Sequence, residues 1–154
     1  MFGEYNYIIV PFITIILTQI IKFIIESIQN KKLIWGRLFN GSGGMPSSHN
    51  AFVFSLTTLI GINEGITSTF FAISLIFSLI IMYDSMVLRM ETENQAITIN
   101  KLVDNLIKGD TKKSYNILKE EIGHKPIEVF CGILFGISIG IIFSIWQTNL
   151  FVIQ

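Results

Sequence analysis

Two serines and a histidine at the predicted start of a helix are the first residues whose types and spacing could do chemistry. They lie in GGMPSSHN, residues 43–50, directly before an apolar run. Hydroxyls and backbone N–H groups at a helix start hold anions, because the first N–H groups of a helix have no partner within it. Ser47 and Ser48 are therefore candidates for binding an anion, and His49 is a candidate for acting on it.

The second histidine of the chain begins a later apolar run. In GHKPIEV, residues 123–129, Glu128 follows His124 by four residues. This spacing places both on one helix face, where a carboxylate can orient an imidazole. Pro126 fits the first turn of that helix, because its missing N–H would have no helical partner there. The alternative for either histidine alone is an interfacial residue without a chemical role.

Further ionisable residues fall at the same predicted membrane face as the histidines. Lys22 lies near the end of the first apolar run, Asp84 and Arg89 near the end of the third, and Arg37 in the loop before the glycines. Ionisable side chains in membrane spans are expensive and are by default functional. Lys22 also has a simpler interpretation, an ion pair with Glu26 at i, i+4 near the interface.

This set of residues predicts phosphoryl transfer. Cationic side chains and N–H groups bind phosphate oxygens and neutralise their charge, while one histidine attacks phosphorus and the other protonates the leaving oxygen. The alternative is metal binding by both histidines with Asp84 and Glu128, which the neighbouring basic residues disfavour. We therefore expect a reaction without a metal or other cofactor.

Four apolar blocks must position these residues. Hydrophobic residues make up 51% of the 154 residues and charged residues only 14%, against about 25% in soluble domains. The blocks cover residues 5–28, 51–66, 68–88 and 127–153, and a membrane span needs about 20 residues. We expect an all-α integral membrane bundle of about four transmembrane helices in one domain, residues 1–154. The second block is the shortest and spans only if it begins near Pro46.

The polar stretch between the third and fourth blocks, residues 90–125, predicts one or two amphipathic helices. Apolar residues recur at near-helical spacing over 97–107, and a second short helix is expected over 115–122. Such helices either lie on the cytoplasmic membrane surface or cap the bundle.

Three glycines spaced by four give the last block a smooth face. Gly132, Gly136 and Gly140 allow a second helix to approach closely. The partner helix is either in the same chain or in a second copy, so a homodimer with this face as its contact is possible.

The distribution of lysine and arginine predicts the topology. Apart from Lys22, all of these residues lie in two loops, residues 29–48 and 89–125, on one side of the membrane. The positive-inside rule assigns that side to the cytoplasm, with both termini outside, in a bacterial plasma membrane. A net charge of zero argues against binding to nucleic acid.

Four sequence blocks resemble a known family. GGMPSSHNA, IIMYDSMVLR, QAITIN and GHKPIEVFCG are similar, in this order, to blocks of a divergent bacterial and plant branch of the phosphatidic acid phosphatase type 2 superfamily. That branch is related to acid phosphatases and vanadium-dependent haloperoxidases, and the resemblance covers about residues 22–140.

The resemblance implies roles for particular residues. His49 would protonate the leaving group, and His124 would be the nucleophile that forms a phosphohistidine. Glu128 would stand in the place of the orienting aspartate. The implied phosphate-binding groups are Ser47, Ser48, the backbone near Gly44, and Lys22 as a loose match to the lysine of the first motif.

The chain also departs from the family pattern. Ser48 stands where the wider superfamily has glycine, and Leu118 where an arginine is expected six residues before the second histidine. No arginine–proline pair follows the first-motif lysine at the usual distance, and Met86 and Met90 replace a glycine and a second arginine. Arg89 could supply part of the missing positive charge.

These observations together predict a membrane phosphatase at the cytoplasmic face. Its substrate would be a lipid or isoprenoid phosphate, as a monoester or a diphosphate. One alternative is a non-catalytic lipid-phosphate binding or transport protein that keeps the same pocket. Another is a scaffold in which the polar cluster only joins helices.

Overall fold

The computed structural model describes residues 2–33, 44–107, 117–119 and 123–152, and within these ranges it contains helices and no strand. A π-helical turn, Asp84–Leu88, joins the third and fourth α-helices without a break. The five α-helices are α1 (Phe2–Asn30), α2 (Ser48–Asn63), α3 (Thr69–Tyr83), α4 (Arg89–Ile107) and α5 (Pro126–Val152).

Hydrogen bonds near the chain termini fix one end of the bundle. The amide of Asn6 on α1 donates to the Oε1 of Gln147 on α5 at 3.1 Å. The hydroxyl of Tyr7 donates to the Oε1 of Glu64, just after α2, at 2.9 Å. The start of α1 and the ends of α2 and α5 therefore meet here, at what we call the termini end.

Contacts between later residues fix the opposite end, which we call the histidine end because it carries His49 and His124. The Nζ of Lys22, late in α1, donates to the Oγ of Ser48 at the start of α2. The backbone N–H of His124, just before α5, donates to the carbonyl of Ser85, just after α3. Successive segments α1, α2, α3 and α5 therefore alternate in direction.

The predicted all-α membrane bundle is confirmed. Three of the described helices are long and apolar enough to cross a membrane: Tyr5–Asn30, Thr69–Leu106 and Pro126–Thr148. The helix α2 has 16 residues, fewer than the roughly 20 of a typical span. The count of four spans therefore stays a prediction.

The distribution of polar and apolar side chains is the reverse of that in a soluble protein. Large apolar side chains such as Phe12, Phe77 and Trp146 are more than half exposed, whereas the small polar residues Thr14 and Ser78 are fully buried. Lipid is the solvent that suits such a surface, and small polar residues allow close packing of helices within it. The chain is therefore an integral membrane protein.

The glycine face of α5 packs against α2 of the same chain. A Cβ atom at Gly132 would collide with the carbonyl oxygen of Ser47, and one at Gly136 with that of Ala51. Gly140 continues the contact one turn further on. Because this face is occupied within the chain, a homodimer would need a different contact surface.

The predicted helix over residues 97–107 is confirmed as part of α4. It is not a separate element, because Thr69–Leu106 is one helix of 38 residues. At 1.5 Å per residue such a helix is about 57 Å long, so α4 extends well beyond a hydrocarbon core of about 30 Å.

The second predicted amphipathic helix lies mostly outside the described residues. Residues 117–119 are described, and they are not helical. The Oδ1 of Asn100 accepts the N–H of Leu118 at 3.0 Å, and the Nδ2 of Asn100 donates to the carbonyl of Leu118 at 2.9 Å. This pair of bonds attaches the segment to α4.

Candidate functional site

Lys22 is a cation buried inside the bundle. Its side chain is 1% exposed, and it lies on the same face of α1 as the buried residues Thr14 and Thr18, because residues spaced by four share a helix face. The Nζ donates to the Oγ of Ser48 at 3.3 Å. The first residue of α2 therefore contacts a buried positive charge.

The N-cap residue of α2 does not use its side chain to cap the helix. Ser47 is the N-cap residue and has extended backbone angles, but its side chain caps no N–H of the helix. Gly44 reaches this start through a turn with a φ of 81°, a conformation that favours glycine. Both Ser47 and Ser48 are buried, so the first turn of α2 meets the interior.

His49 points out of the first turn of α2 and is exposed. The charges of Arg89, Lys22 and Asp84 all act on its imidazole. His49 thus lies at the same end of the bundle as Lys22, Asp84 and Arg89.

The π-helical turn explains how Asp84 and Arg89 meet. The backbone N–H of Arg89 donates to the carbonyl of Asp84, five residues earlier, and its Nε donates to the Oδ2 of Asp84 at 2.9 Å. In a regular α-helix, residues five apart point in different directions. Each side chain is about one-third exposed, so the ion pair adds only about 0–1 kcal/mol of stability. Its main effect is to fix the direction of the guanidinium.

His124 lies directly before α5 rather than within it. Its side chain is 1% exposed, its backbone N–H donates to the carbonyl of Ser85 at 3.3 Å, and both ring nitrogens are shielded from solvent. The four-residue spacing to Glu128 therefore does not place the two side chains on one helix face.

Glu128 serves the start of α5. Its Oε2 accepts the backbone N–H of Lys125 at 3.1 Å, which is the carboxylate half of a capping box. The carbonyl of Glu128 accepts the N–H of Ser47 at 2.9 Å. The residue thus links the segment that carries His124 to the start of α2.

A polar residue that the sequence analysis missed lies between these groups. Asn50 is 0% exposed, and its Nδ2 donates to the Oγ of Ser47 at 3.0 Å and to the Oγ of Ser85 at 2.9 Å. An asparagine directly after His49, in the first turn of an apolar helix, was the available signal. For Ser85, the available signal was its position directly after Asp84.

A cleft of about 700 Å³ opens beside His124 at the histidine end. It lies between the end of α1, the start of α4 and the segment before α5. Its ionisable lining residues are Glu26, Glu93, His124, Lys125 and Glu128. Gly44 also lines the cleft, which therefore reaches the turn before α2.

The structure gathers nine of the ten predicted site residues at the histidine end, and Arg37 lies outside the described residues. They form two neighbourhoods, the exposed His49 with its charged partners and the buried His124 with Glu128. Ser85 and Asn50 connect the two. Within the described ranges, no group of three or more His, Cys, Asp or Glu residues is arranged to hold a metal ion.

Comparison with known proteins decides the family. A family model described as the Divergent PAP2 family matches residues 4–139. The chain belongs to this family. The matched range contains all ten predicted site residues, and the resemblance drawn from the four sequence blocks is confirmed.

The chain is also similar to a curated membrane protein of Bacillus subtilis (strain 168). The chain is 40% identical over 140 residues to the "Uncharacterized membrane protein YuiD" of Bacillus subtilis (strain 168), covering 84% of this chain and 88% of that protein. The name of this relative of the Divergent PAP2 family member thus describes a membrane protein. No solved structure matches the chain significantly.

Proposed function

We propose that this member of the Divergent PAP2 family is a membrane phosphatase that hydrolyses a lipid or isoprenoid phosphate through a phosphohistidine. One observation carries the proposal: the buried ammonium of Lys22 contacts Ser48 at a helix start whose N-cap residue, Ser47, makes no capping hydrogen bond with its side chain. A buried positive charge beside unpaired amide groups favours an anion.

The phosphate would bind at this helix start. The N–H groups of the first turn of α2, the Oγ of Ser48 and the Nζ of Lys22 supply donors on one side. Arg89, aimed by Asp84 and acting on His49, supplies positive charge on the exposed side. Donors fixed before the substrate arrives stabilise the charge of the transition state without reorganisation.

The two histidines would divide the chemistry. A ring nitrogen of His124 attacks phosphorus, the bond from phosphorus to the ester oxygen breaks, and protonated His49 gives its proton to that oxygen. Water then attacks phosphorus, His49 takes a proton from that water, the P–N bond to His124 breaks, and phosphate leaves. Because both ring nitrogens of His124 are shielded in this structure, the residues around the cleft must separate before this attack.

Glu128 would position His124 through the backbone. Its carboxylate holds the N–H of Lys125, the residue next to the histidine. Glu128 would thus act through the backbone, and its carboxylate would not orient the His124 imidazole directly from the same helix face.

The charge distribution of the sequence supports a cytoplasmic location for this site, with both termini outside. The substrate would then come from the inner leaflet. Its acyl or isoprenoid chain would lie along the exposed apolar surface of the bundle, and its phosphate would enter at the histidine end.

Phosphate release from purified protein in detergent tests the proposal. The substrates are phosphatidic acid, phosphatidylglycerol phosphate, and farnesyl and undecaprenyl phosphates and diphosphates, and His49→Ala and His124→Ala proteins are compared with wild type. We expect release that disappears in both variants. Folded wild-type protein that releases no phosphate from any of these substrates would refute the enzyme.

A non-catalytic lipid-phosphate binder is the second candidate, and two observations favour it. The imidazole of His124 is shielded, and Leu118 stands where the superfamily has an arginine, with its backbone held by Asn100. A binder would retain phosphate or vanadate binding in the His124→Ala protein, whereas loss of Arg89 would weaken that binding more.

A further inference from the structure

We propose that the open face of α2 that begins at His49 binds the hydrocarbon chain of one phosphate-headed lipid, which enters from the bilayer between α1 and α3. We call this face the chain groove, and its floor consists of the half-buried side chains Phe52, Leu56 and Ile60. The inference deepens the proposed function and rests on it for the role of the lipid as substrate. Binding in the groove can be measured without turnover.

Three other helices cover parts of α2. Ala51 packs against the glycine face of α5. The hydroxyls of Thr57 and Ser78 on α3 are hydrogen bonded at 2.8 Å, and Ser48 accepts from Lys22 on α1. Because successive residues of a helix are about 100° apart, these contacts leave two sides of α2 uncovered, one between α1 and α3 and one between α3 and α5.

The side between α1 and α3 is the one that carries His49. Phe52, Leu56 and Ile60 follow His49 at spacings of three and four, so all four lie on one helix face. In the described residues α1 and α3 do not pack against each other along their lengths. Phe12 of α1 borders the face, and its ring centroid lies 5.5 Å from that of Phe52. A half-covered apolar surface is therefore open to lipid beside His49.

The chain groove is closed at the termini end. The hydroxyl of Tyr7 on α1 donates to Glu64, in the connection between α2 and α3, at 2.9 Å. Between His49 and Ile60 the helix rises by about 17 Å, at about 1.5 Å per residue. This length is close to one leaflet of a hydrocarbon core about 30 Å thick, so the groove suits a single chain of one leaflet.

The charges at the open end of the groove decide which lipid occupies it. The positive charges of Arg89 and Lys22 act on the His49 imidazole more strongly than the negative charge of Asp84 does. A hydrocarbon chain itself gains little by leaving the bilayer for a protein groove, because lipid tails are as apolar as leucine. The affinity must therefore come from an anionic head group, while the groove fixes where its phosphate lies relative to His49.

Tryptophan fluorescence tests the occupant of the groove. Phe52→Trp places a reporter on the groove floor, and Phe54→Trp is the matched control, because Phe54 is also half-buried but lies on another side of α2. Both proteins keep the two native tryptophans. The probe is phosphatidic acid with brominated chains, which quench nearby indoles, added as a minor component of phosphatidylcholine bilayers.

We expect the Phe52→Trp signal to be quenched at a low fraction of brominated phosphatidic acid. The preference over phosphatidylcholine with the same brominated chains should be about 10–100-fold, as for one hydrogen bond to a charged group. The Phe54→Trp protein should show no preference between the two lipids. If Phe52→Trp does not fold, Ile60→Trp is the second reporter.

Two results would overturn the inference. Equal quenching of Phe52→Trp by both brominated lipids would leave the face to bulk lipid. A Phe52→Trp protein that neither lipid quenches, together with a changed oligomeric state in Leu56→Trp, would assign the face to a second copy of the chain.

A kinetic comparison links the groove to the proposed function. Leu56→Trp fills the groove, so kcat/KM should fall about 10–100-fold for dodecyl phosphate, as for a misplaced substrate, and stay unchanged for butyl phosphate. Ile142→Trp, on the exposed side of α5, is the control and should affect neither ester. Equal loss for both esters in Leu56→Trp would refute the groove. Absence of phosphate release from wild type would refute the phosphatase, and the quenching would still decide the groove.

Discussion

Lys22 of α1 donates a hydrogen bond to the hydroxyl of Ser48, the first residue of α2, and both residues are almost completely buried. A lysine in this position is expensive in a membrane bundle. An anion bound beside the ammonium would add a charge-assisted hydrogen bond, and the first prediction addresses this relationship.

Replacing Lys22 by methionine keeps most of the length of the side chain and removes its charge. We expect phosphate or vanadate to bind about 10–100-fold more weakly, as for loss of one charge-assisted hydrogen bond. Stability should fall by no more than about 3 kcal/mol, the range for losing a hydrogen bond from a charged donor to Ser48. Isothermal titration and thermal unfolding in detergent measure the two effects. The control is Lys101→Met on exposed α4, and equal binding by both variants would exclude Lys22 from the anion site.

The ion pair of Asp84 and Arg89 should matter for activity more than for stability. Both side chains are about one-third exposed, so Asp84→Asn should change the free energy of unfolding by less than about 1 kcal/mol. The Arg89 guanidinium would lose its fixed direction, and we expect KM to rise while the protein remains folded. Steady-state kinetics and a thermal melt on the same preparation check this. A large drop in the melting midpoint with an unchanged KM would show a structural role instead.

Glu128 allows a comparison of two ways of positioning His124. In Glu128→Gln the side chain can still accept the N–H of Lys125, whereas in Glu128→Ala it cannot. If the role runs through the backbone, the glutamine variant should keep most of the activity. The alanine variant should lose activity together with about 0.5–2 kcal/mol of stability, as for other lost helix caps. Equal loss of activity in both variants would instead show that the negative charge is needed.

The close contact between α5 and α2 should tolerate no added methyl group. Gly136→Ala would drive a Cβ into the carbonyl of Ala51, and overpacking of this kind costs about 1–3 kcal/mol. Ser138→Ala, on the exposed side of the same helix, is the control and should leave the thermal midpoint nearly unchanged. A Gly136→Ala protein as stable as the control would mean that the two helices can separate without penalty.

Much of the arrangement could be predicted from local sequence signals. Hydroxyls at Ser47 and Ser48 marked the start of α2, and Pro126 marked the start of α5, because both signals depend only on the orphan N–H groups of a first turn. Lys22 and His49 were expected at the same membrane face because successive spans alternate in direction, so the end of α1 lies beside the start of α2. These features need no knowledge of tertiary contacts.

The features that the sequence did not reveal depend on tertiary or non-standard geometry. The pairing of Asp84 with Arg89 needs a π-helical turn, which no residue pattern in the run announces. The continuity of α3 with α4 could not be seen because hydropathy changes sharply at Arg89. Asn50 was missed because its role arises only when Ser85, 35 residues later, lies beside it.

The glycine contacts also determine which parts of the bundle can move. Gly132 and Gly136 bring the backbone of α5, the helix that follows His124, into close contact with the start of α2, the helix that carries His49. A motion that exposes the shielded ring of His124 would therefore displace the elements around α2 and α5 rather than separate these two helices. The end of α1 and the start of α4 form the other walls of the cleft, so their displacement would widen it. The distance between His49 and His124 would then stay constant while the entrance of the cleft changes width.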